Sequence, residues 1–395
     1  MTLATWSLFI LASVAHAKNP QAVQVLPASF AVLGQNGTFR ATGFDMFNPT
    51  NNTPPFFQVF DSDFYDIISS HSKLFSVSSD PTFAFAHEAP VWVPESDEVW
   101  FCSNGGGGLG RSGIDANNQV AKISLKAVAA AVKANGTGSV NVTHAKVELA
   151  DSMQMTNGGT GPYKGQIIFM NQGRGALPAN MALVDPKTNN VTTLLDNFYG
   201  RQFNALNDVR VHPSGQIFFT DVPYGYYQNF KPEPTIPAQV YRFDPKTKAV
   251  RVVADGFNKP NGLTFTPDYK SVYVADTGAL GAKWANNGTL PATIYKFDVT
   301  PGTLEFVNRR VFAYVDTGAA DGVVVDTKGN VYGGCGDGVH VWNSHGVLLG
   351  KFYVGGNSAN MAFASDGRLV ILAETAIYMA SGLKVEGMNM EVITK

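Results

Sequence analysis

Charge is what this sequence has least of. Of 395 residues only 29 are Lys or Arg and 31 are Asp or Glu, for a formal net charge of −2. There is no basic field to hold a phosphate backbone and no Lys/Arg tract to sit on an acidic membrane, which excludes nucleic acid and membrane surfaces as partners. Cys102 and Cys335 are the two cysteines, too few for a disulfide framework. No G-x-S-x-G elbow occurs, so the serine-hydrolase route has no support. Beyond the N-terminus no stretch approaches the ~18 uninterrupted apolar residues that a membrane-crossing helix needs. Nothing in the sequence sets an oligomeric state.

What is present points to an all-β chain. Hydrophobic residues make up 45%, with 27 phenylalanines for a large core and 40 glycines for turns. The first residues hold an apolar run, Leu3 to Val14, and then Ala15-His16-Ala17, a small-x-small cleavage pattern. Residues 1–17 are therefore expected to be a signal peptide, the mature chain to start near Lys18, and the protein to be secreted and extracellular. Six N-x-[ST] sequons, at Asn36, Asn51, Asn135, Asn141, Asn190 and Asn287, fit a secreted glycoprotein.

One pattern recurs six times: a polar residue, an apolar strand, a polar turn and a second apolar strand. The copies are "EAPVWVPESDEVWFCSN" from Glu88, "NGGTGPYKGQIIFMNQG" from Asn157, "NDVRVHPSGQIFFTD" from Asn207, "NGLTFTPDYKSVYVAD" from Asn261, "DGVVVDTKGNVYGGCG" from Asp321 and "NMAFASDGRLVILAE" from Asn360. They are spaced about 40 to 70 residues apart, a period suited to propeller blades. Further strands follow the hairpins, as in "QVYRFDP" and "AVRVVAD" after Asn207. Two hairpins make a four-stranded sheet, and six such sheets around a channel make a six-bladed β-propeller with a central metal site. Six hairpins in a flat sandwich are the alternative, but a sandwich does not require units this regular. The propeller is expected over residues 81–395, preceded by an N-terminal segment, 18–80. Either "KLFSVSS" in that segment or the C-terminal "EVITK" closes the last blade. "SLKAVAAAVKA" is the best helical stretch and interrupts the first blade; "SNGGGGLGRSG" is expected to be a mobile loop.

The innermost strand of each blade lines the channel, so the six leading polar residues point to a common centre. Asn-Gly and Asp-Gly are ordinary turn dipeptides, and Glu88 alone reads as a solvated charge. Their shared register outweighs those readings. Two carboxylates and four amides form a hard, oxygen-only set that suits Ca²⁺, with Mg²⁺ or Mn²⁺ less suited. Zinc would want His or Cys at these places.

At these residues the chain resembles the SMP-30/gluconolactonase/paraoxonase group of six-bladed propellers. "HEAPVW" is similar to its first-blade signature, and "LNDV", "PNGL" and "ADGV" are similar to its ligand motifs in the third, fourth and fifth blades. "FYGRQFNALNDV", "FFTDVPYGY", "QVYRFDP" and "VYGGCGDGVHVWN" resemble secreted fungal lactonohydrolases. The resemblance implies a Ca²⁺-dependent hydrolase acting on a small-molecule lactone. It implies Glu88, Asn207, Asn261 and Asp321 as direct ligands, with Asn157 and Asn360 holding the metal through water or binding substrate. Ala89 stands where many relatives have Gly, a change expected to be harmless.

For catalysis Asp321 is the first choice, as ligand and base or nucleophile, and His340 in "GDGVHVWN" is a candidate base. Strand alternation should aim Asp208 and His87 away from the targets of their neighbours. Arg201 and Tyr224 are candidates for the pocket lining. The ligand set equally admits an aryl-ester or organophosphate hydrolase, a ring-opening or ring-closing enzyme of a secondary-metabolite pathway, or a binding propeller with structural calcium. Cys102 and Cys335 end equivalent strands two blades apart, farther than the ~7 Å between Cα atoms that a disulfide spans, so two free buried thiols are expected.

Overall fold

The structure is a computed structural model that describes residues 19–136, 138–281 and 283–388. The expected signal peptide and the "EVITK" strand lie outside these residues.

Each turn signal makes an antiparallel hairpin. In the third copy Leu206–Val211 pairs with Ile217–Asp221. The turn between them needs Gly215, whose φ of +83° is costly for any residue with a Cβ and whose N–H donates to the His212 carbonyl at 2.8 Å. Gln239–Phe243 and Val250–Ala254 then add outward to complete blade III. Blade I is Glu88–Val93, Glu98–Cys102, Val120–Ser124 and Ala145–Val147. Blade II is Thr156–Tyr163, Gln166–Asn171, Asn180–Val184 and Val191–Leu195. Blade IV is Pro260–Phe265, Ser271–Asp276, Thr293–Val299 and Phe306–Tyr314. Blade V begins with Val323–Val325, Val331–Cys335, Gly338–Trp342 and Leu348–Tyr353, and blade VI with Asn360–Ala364, Arg368–Ala373 and Ala376–Leu383. The result is a six-bladed β-propeller.

The ring is closed by Ile68–Ser79, which contains "KLFSVSS" and pairs with Ala376–Leu383 as the outer strand of blade VI. The N-terminal segment does more than the expected boundary at 80/81 allows. Phe56–Val59 pairs with Leu348–Tyr353, and Ala22–Gln24 pairs with Phe56–Val59, giving blade V six strands. The physical reason is apolar: Phe57, Val59 and Phe64 are fully buried in the core between blades V and VI. The expected helix is present as Leu125–Asn135, between the third and fourth strands of blade I. Ser124 caps it by accepting the Ala127 N–H at 3.2 Å, and Gly136 ends it at φ +69°. The Ser103–Gly113 stretch is irregular and tied internally: Ser112 Oγ accepts from Gly106 N–H at 2.9 Å and donates to the Asn104 carbonyl at 2.8 Å. All six sequon asparagines are exposed.

Blades pack face to face, so alternate residues of one strand enter different cores. Ile167 and Phe169 enter the core shared with blade I, and Ile168 and Met170 the core shared with blade III. Phe219 faces blade II and Phe218 faces blade IV. The two cysteines belong to different cores: Cys102 lies between blades I and II, and Cys335 between blades IV and V. Both are free and buried. Alkylation of the unreduced, denatured protein should therefore label both Cys102 and Cys335 in a mass spectrum, and a linked peptide pair would contradict this blade register.

Candidate metal centre

The inner strands of blades I to IV each carry one extra residue at the same place. Register slips between Glu88 and Val91, Thr156 and Gly159, Leu206 and Val209, and Pro260 and Leu263. A bulge interrupts alternation and re-aims a side chain. Asn157, Asn207 and Asn261 are the first residues inside their bulges, whereas Glu88 is the last paired residue before its own, one position ahead of the shared register expected from sequence. Asp321 stands two residues ahead of Val323–Val325, and Asn360 opens the inner strand of blade VI in regular register.

The glycines that follow these residues are not turn residues. They let neighbouring inner strands close around the channel. A Cβ on Gly158 would lie 1.9 Å from the Asn207 carbonyl oxygen, one on Gly262 2.3 Å from that of Asp321, and one on Gly322 2.2 Å from the Asn360 side chain. Through that contact the Gly262 N–H donates to the Asp321 carbonyl at 3.0 Å. Blade III has Asp208 in place of the glycine, and its carboxylate joins the blades: Oδ2 accepts from Leu263 N–H of blade IV at 2.7 Å, and Oδ1 from Val209 N–H and Arg210. Blade I has Ala89, which adopts the left-handed φ of +57°, a conformation that costs about 1–2 kcal/mol for a residue with a Cβ. The loops entering the inner strands of blades III and IV are held from the second strand: Asp221 accepts from Asn204 and Ala205 N–H, and Asp276 from Asn258 and Lys259 N–H.

These devices bring a carboxylate oxygen of Glu88, one of Asp321 and a ring nitrogen of His87 within 4.8 Å of one another. Glu88 is 1% exposed, and burial followed by the charge of Asp321 pushes its carboxyl well above the usual range. Burial also raises Asp321, to about 6, against the opposing charge of His87 and a hydrogen bond from Asn261. Two further acceptors stand unsatisfied: Asn207 Oδ1 and Asn261 Oδ1 are buried with no hydrogen-bond partner. An unpaired buried carbonyl calls for an explanation. Two carboxylates and two unpaired amide oxygens form an oxygen-only set that fits Ca²⁺.

The other expected site residues fall in different places. Asn360 donates Nδ2 to Glu88 Oε2 at 2.7 Å and accepts the Met361 N–H, so it orients a ligand. Asn157 is buried at its bulge. Tyr224 is half-buried, with its phenol beside Asn261 and Asp321. Arg201 is exposed and donates to the Thr235 carbonyl. His340 does not face the channel as a base. Its ring is 0% exposed on the third strand of blade V, with Nε2 2.6 Å from Asp337 and Nδ1 3.4 Å from Asp316. Lys351 Nζ lies 3.0 Å from each of those carboxylates, and Arg40 and the Phe47 N–H bind them from the N-terminal segment. Cations held between paired carboxylates make this cluster a clasp for that segment.

His87 is the residue that alternation misplaced. Its Nδ1 lies 2.8 Å from Glu374 Oε1, a side chain that also accepts from Asn104 and Asn357. Burial alone would lower the imidazole, but the charge and hydrogen bond of Glu374, aided by Asp321 and Glu88, raise it to about 10. Glu374 lies between the second and third strands of blade VI at φ +60°, and its sequence neighbours carry no motif that marks it.

A sequence profile described as the SMP-30/gluconolactonase/LRE-like region matches residues 86–375. The chain belongs to this family. Lactonohydrolase oryL of Aspergillus oryzae is 32% identical over 296 residues, covering 72% of this chain and 64% of that protein. Gluconolactonase of Zymomonas mobilis is 27% identical over 204 residues, covering 48% of this chain and 53% of the enzyme. The chain thus spans roughly half to two thirds of the length of these relatives. Among solved structures, a gluconolactonase of Xanthomonas campestris superposes with a TM-score of 0.65 at 24% identity, covering 84% of this chain and 96% of that one. The calcium-binding protein regucalcin of Agrobacterium tumefaciens superposes with a TM-score of 0.55 at 17% identity, covering 80% and 96%. At these identities the two structures speak for the SMP-30-like fold.

Two outcomes follow for this family member. Gly262→Ala forces the inner strands of blades IV and V apart and should lower unfolding free energy by about 1–3 kcal/mol in urea titration; unchanged stability would contradict the close approach. Burial raises Asp221 from 3.8 to about 7, against the N–H bonds from Asn204 and Ala205. Because the folded value is the higher one, its stability contribution is complete below pH 3.8 and is lost as pH rises through about 7. Asp221→Asn should therefore flatten the fall in urea midpoint across that window.

Proposed function

We propose that this protein is a secreted, calcium-dependent lactonase that opens a lactone ring to the hydroxy acid. The observation that carries the reading is the pair of unpartnered amide oxygens, Asn207 Oδ1 and Asn261 Oδ1, each set in an inner-strand bulge equivalent to the one that follows buried Glu88. The names of the family relatives supply the substrate class. The leader and the six exposed sequons support secretion and glycosylation.

Glu88, Asn207, Asn261 and Asp321 would hold the calcium, which would supply a positive charge to polarise the lactone carbonyl. The chain's own groups do the rest. Asn360 fixes Glu88 through Oε2. Asp321, the partly exposed carboxylate of the set, accepts the proton of the water that attacks the carbonyl carbon. Glu374 occupies His87 Nδ1, so Nε2 is the nitrogen that exchanges a proton with the ring oxygen as its bond to the carbonyl carbon breaks. Asp321 and His87 lie close enough for the proton to return.

A panel of lactones, with an aryl ester in parallel, assayed with and without chelator tests the reading. Turnover of lactones that chelator abolishes and calcium restores is expected. Calcium binding without turnover would indicate a binding propeller, and preferred aryl-ester turnover would overturn the substrate class. Asp321→Asn should lower lactonase activity by at least ~10²-fold and weaken calcium binding while keeping the circular dichroism of the fold.

A further inference from the structure

Each second strand runs antiparallel to its inner strand, so it ends where the inner strand begins, at the metal end of the channel. Leu206, beside Asn207, pairs with Asp221, and Pro260, beside Asn261, pairs with Asp276. The chain leaving Asp221 forms the short helix Tyr224–Tyr227, and the chain leaving Asp276 carries Trp284. A substrate that approaches the metal centre from this end passes these two connections.

The connections meet through aromatic rings. The Tyr224 and Tyr227 centroids lie 6.4 Å apart at 83°, and those of Tyr227 and Trp284 5.3 Å apart at 64°, both edge to face. The inner end of this row is tied to the loop that delivers Asn261: the Tyr224 and Thr277 hydroxyls are in contact, and the Thr277 N–H donates to the Lys259 carbonyl at 3.0 Å. The outer end is open, because Trp284 is 60% exposed. That exposure is not slackness of the surrounding chain. Lys259 Nζ donates to the carbonyls of Gly278, at 3.1 Å, and Leu280. The Ala279 N–H donates to the Pro291 carbonyl at 2.7 Å, and Phe44 of the N-terminal segment packs against the cluster of Ala279, Ala292 and Ala319. An indole held in water forgoes the gain of burying its apolar surface, and a flat ligand laid on it recovers that gain together with ring–ring attraction.

The polar groups beside Trp284 narrow the chemistry. Asn286 Oδ1 accepts the Gly281 N–H at 2.8 Å, and Asn287 Oδ1 accepts the Thr289 N–H and hydroxyl at 3.0 and 2.7 Å. These amide oxygens are already engaged. Lys283 turns its ammonium to the rings, 4.2 Å from the Tyr226 centroid. The hydroxyls of a sugar-like substituent need acceptors, whereas a planar apolar substituent needs rings.

We propose that Tyr227 and Trp284 are specificity-determining residues, which hold a planar apolar substituent, an aryl group above all, carried on the ring of the lactone substrate. This rests on the lactonase reading above.

Steady-state kinetics of the full chain with calcium, on δ-valerolactone and on its phenyl-substituted analogue, tests the proposal. The wild type should favour the phenyl-substituted lactone in kcat/KM. Trp284→Ala should lower that preference by about 10-fold, through KM rather than kcat, and Trp284→Phe should keep it within about 3-fold. Trp284→Leu, apolar but not flat, should behave as Trp284→Ala does, and Tyr227→Leu should also lower the preference. Turnover of both lactones without preference for the phenyl-substituted one would overturn the proposal and leave the lactonase reading standing. A preference unchanged in both Trp284→Ala and Tyr227→Leu would overturn it too. If Tyr227→Leu does not fold, Trp284→Ala decides, since it removes an exposed side chain. Turnover of neither lactone by the wild type would overturn the lactonase reading, and this proposal with it.

Discussion

Two carboxylates buried side by side repel each other, and much of the structure around the channel exists to hold Glu88 and Asp321 in that position. Removing a compensating partner from such a site leaves buried charge uncovered, which is costly. Here the compensation comes from blade VI: Asn360 donates to Glu88, and Glu374 holds the His87 cation beside both carboxylates. A divalent cation on the remaining oxygens would offset the same repulsion.

Such a site needs inner strands that approach more closely than side chains normally allow. Gly158, Gly262 and Gly322 supply the space, and the bulges turn one side chain per blade toward the axis. Elsewhere the blades are set by six apolar cores, each fed by alternate residues of two neighbours. A bulge is tolerated at the channel because those cores, farther out, hold the register.

The ring depends as much on the N-terminal segment. Ile68–Ser79 supplies the last strand of blade VI, and Phe56–Val59 and Ala22–Gln24 extend blade V. The cluster of Arg40, Asp316, Asp337, His340 and Lys351 clasps the intervening loop onto that blade. His340 was a candidate base on the third strand of blade V; its burial between two carboxylates gives it a structural role.

The hairpins, the six repeats and the inner-strand ends that carry Glu88, Asn207, Asn261 and Asp321 were legible because alternation and turn chemistry are local properties, written within a few residues; the one-residue offset of Glu88 was not. The helix at Leu125–Asn135 was legible for the same reason. His87 was misjudged because alternation assumes an unbroken strand, and the bulge after it breaks that rule. Glu374 was invisible because its partner is distant in the chain: His87 and Glu374 are 287 residues apart. The sequence by itself therefore pointed to Glu88, Asn207, Asn261 and Asp321, but not to His87 or Glu374. Only the tertiary structure decided which of their oxygens stay free for a cation, because a hydrogen bond is satisfied by whatever folding brings within about 3 Å, wherever it lies in the chain.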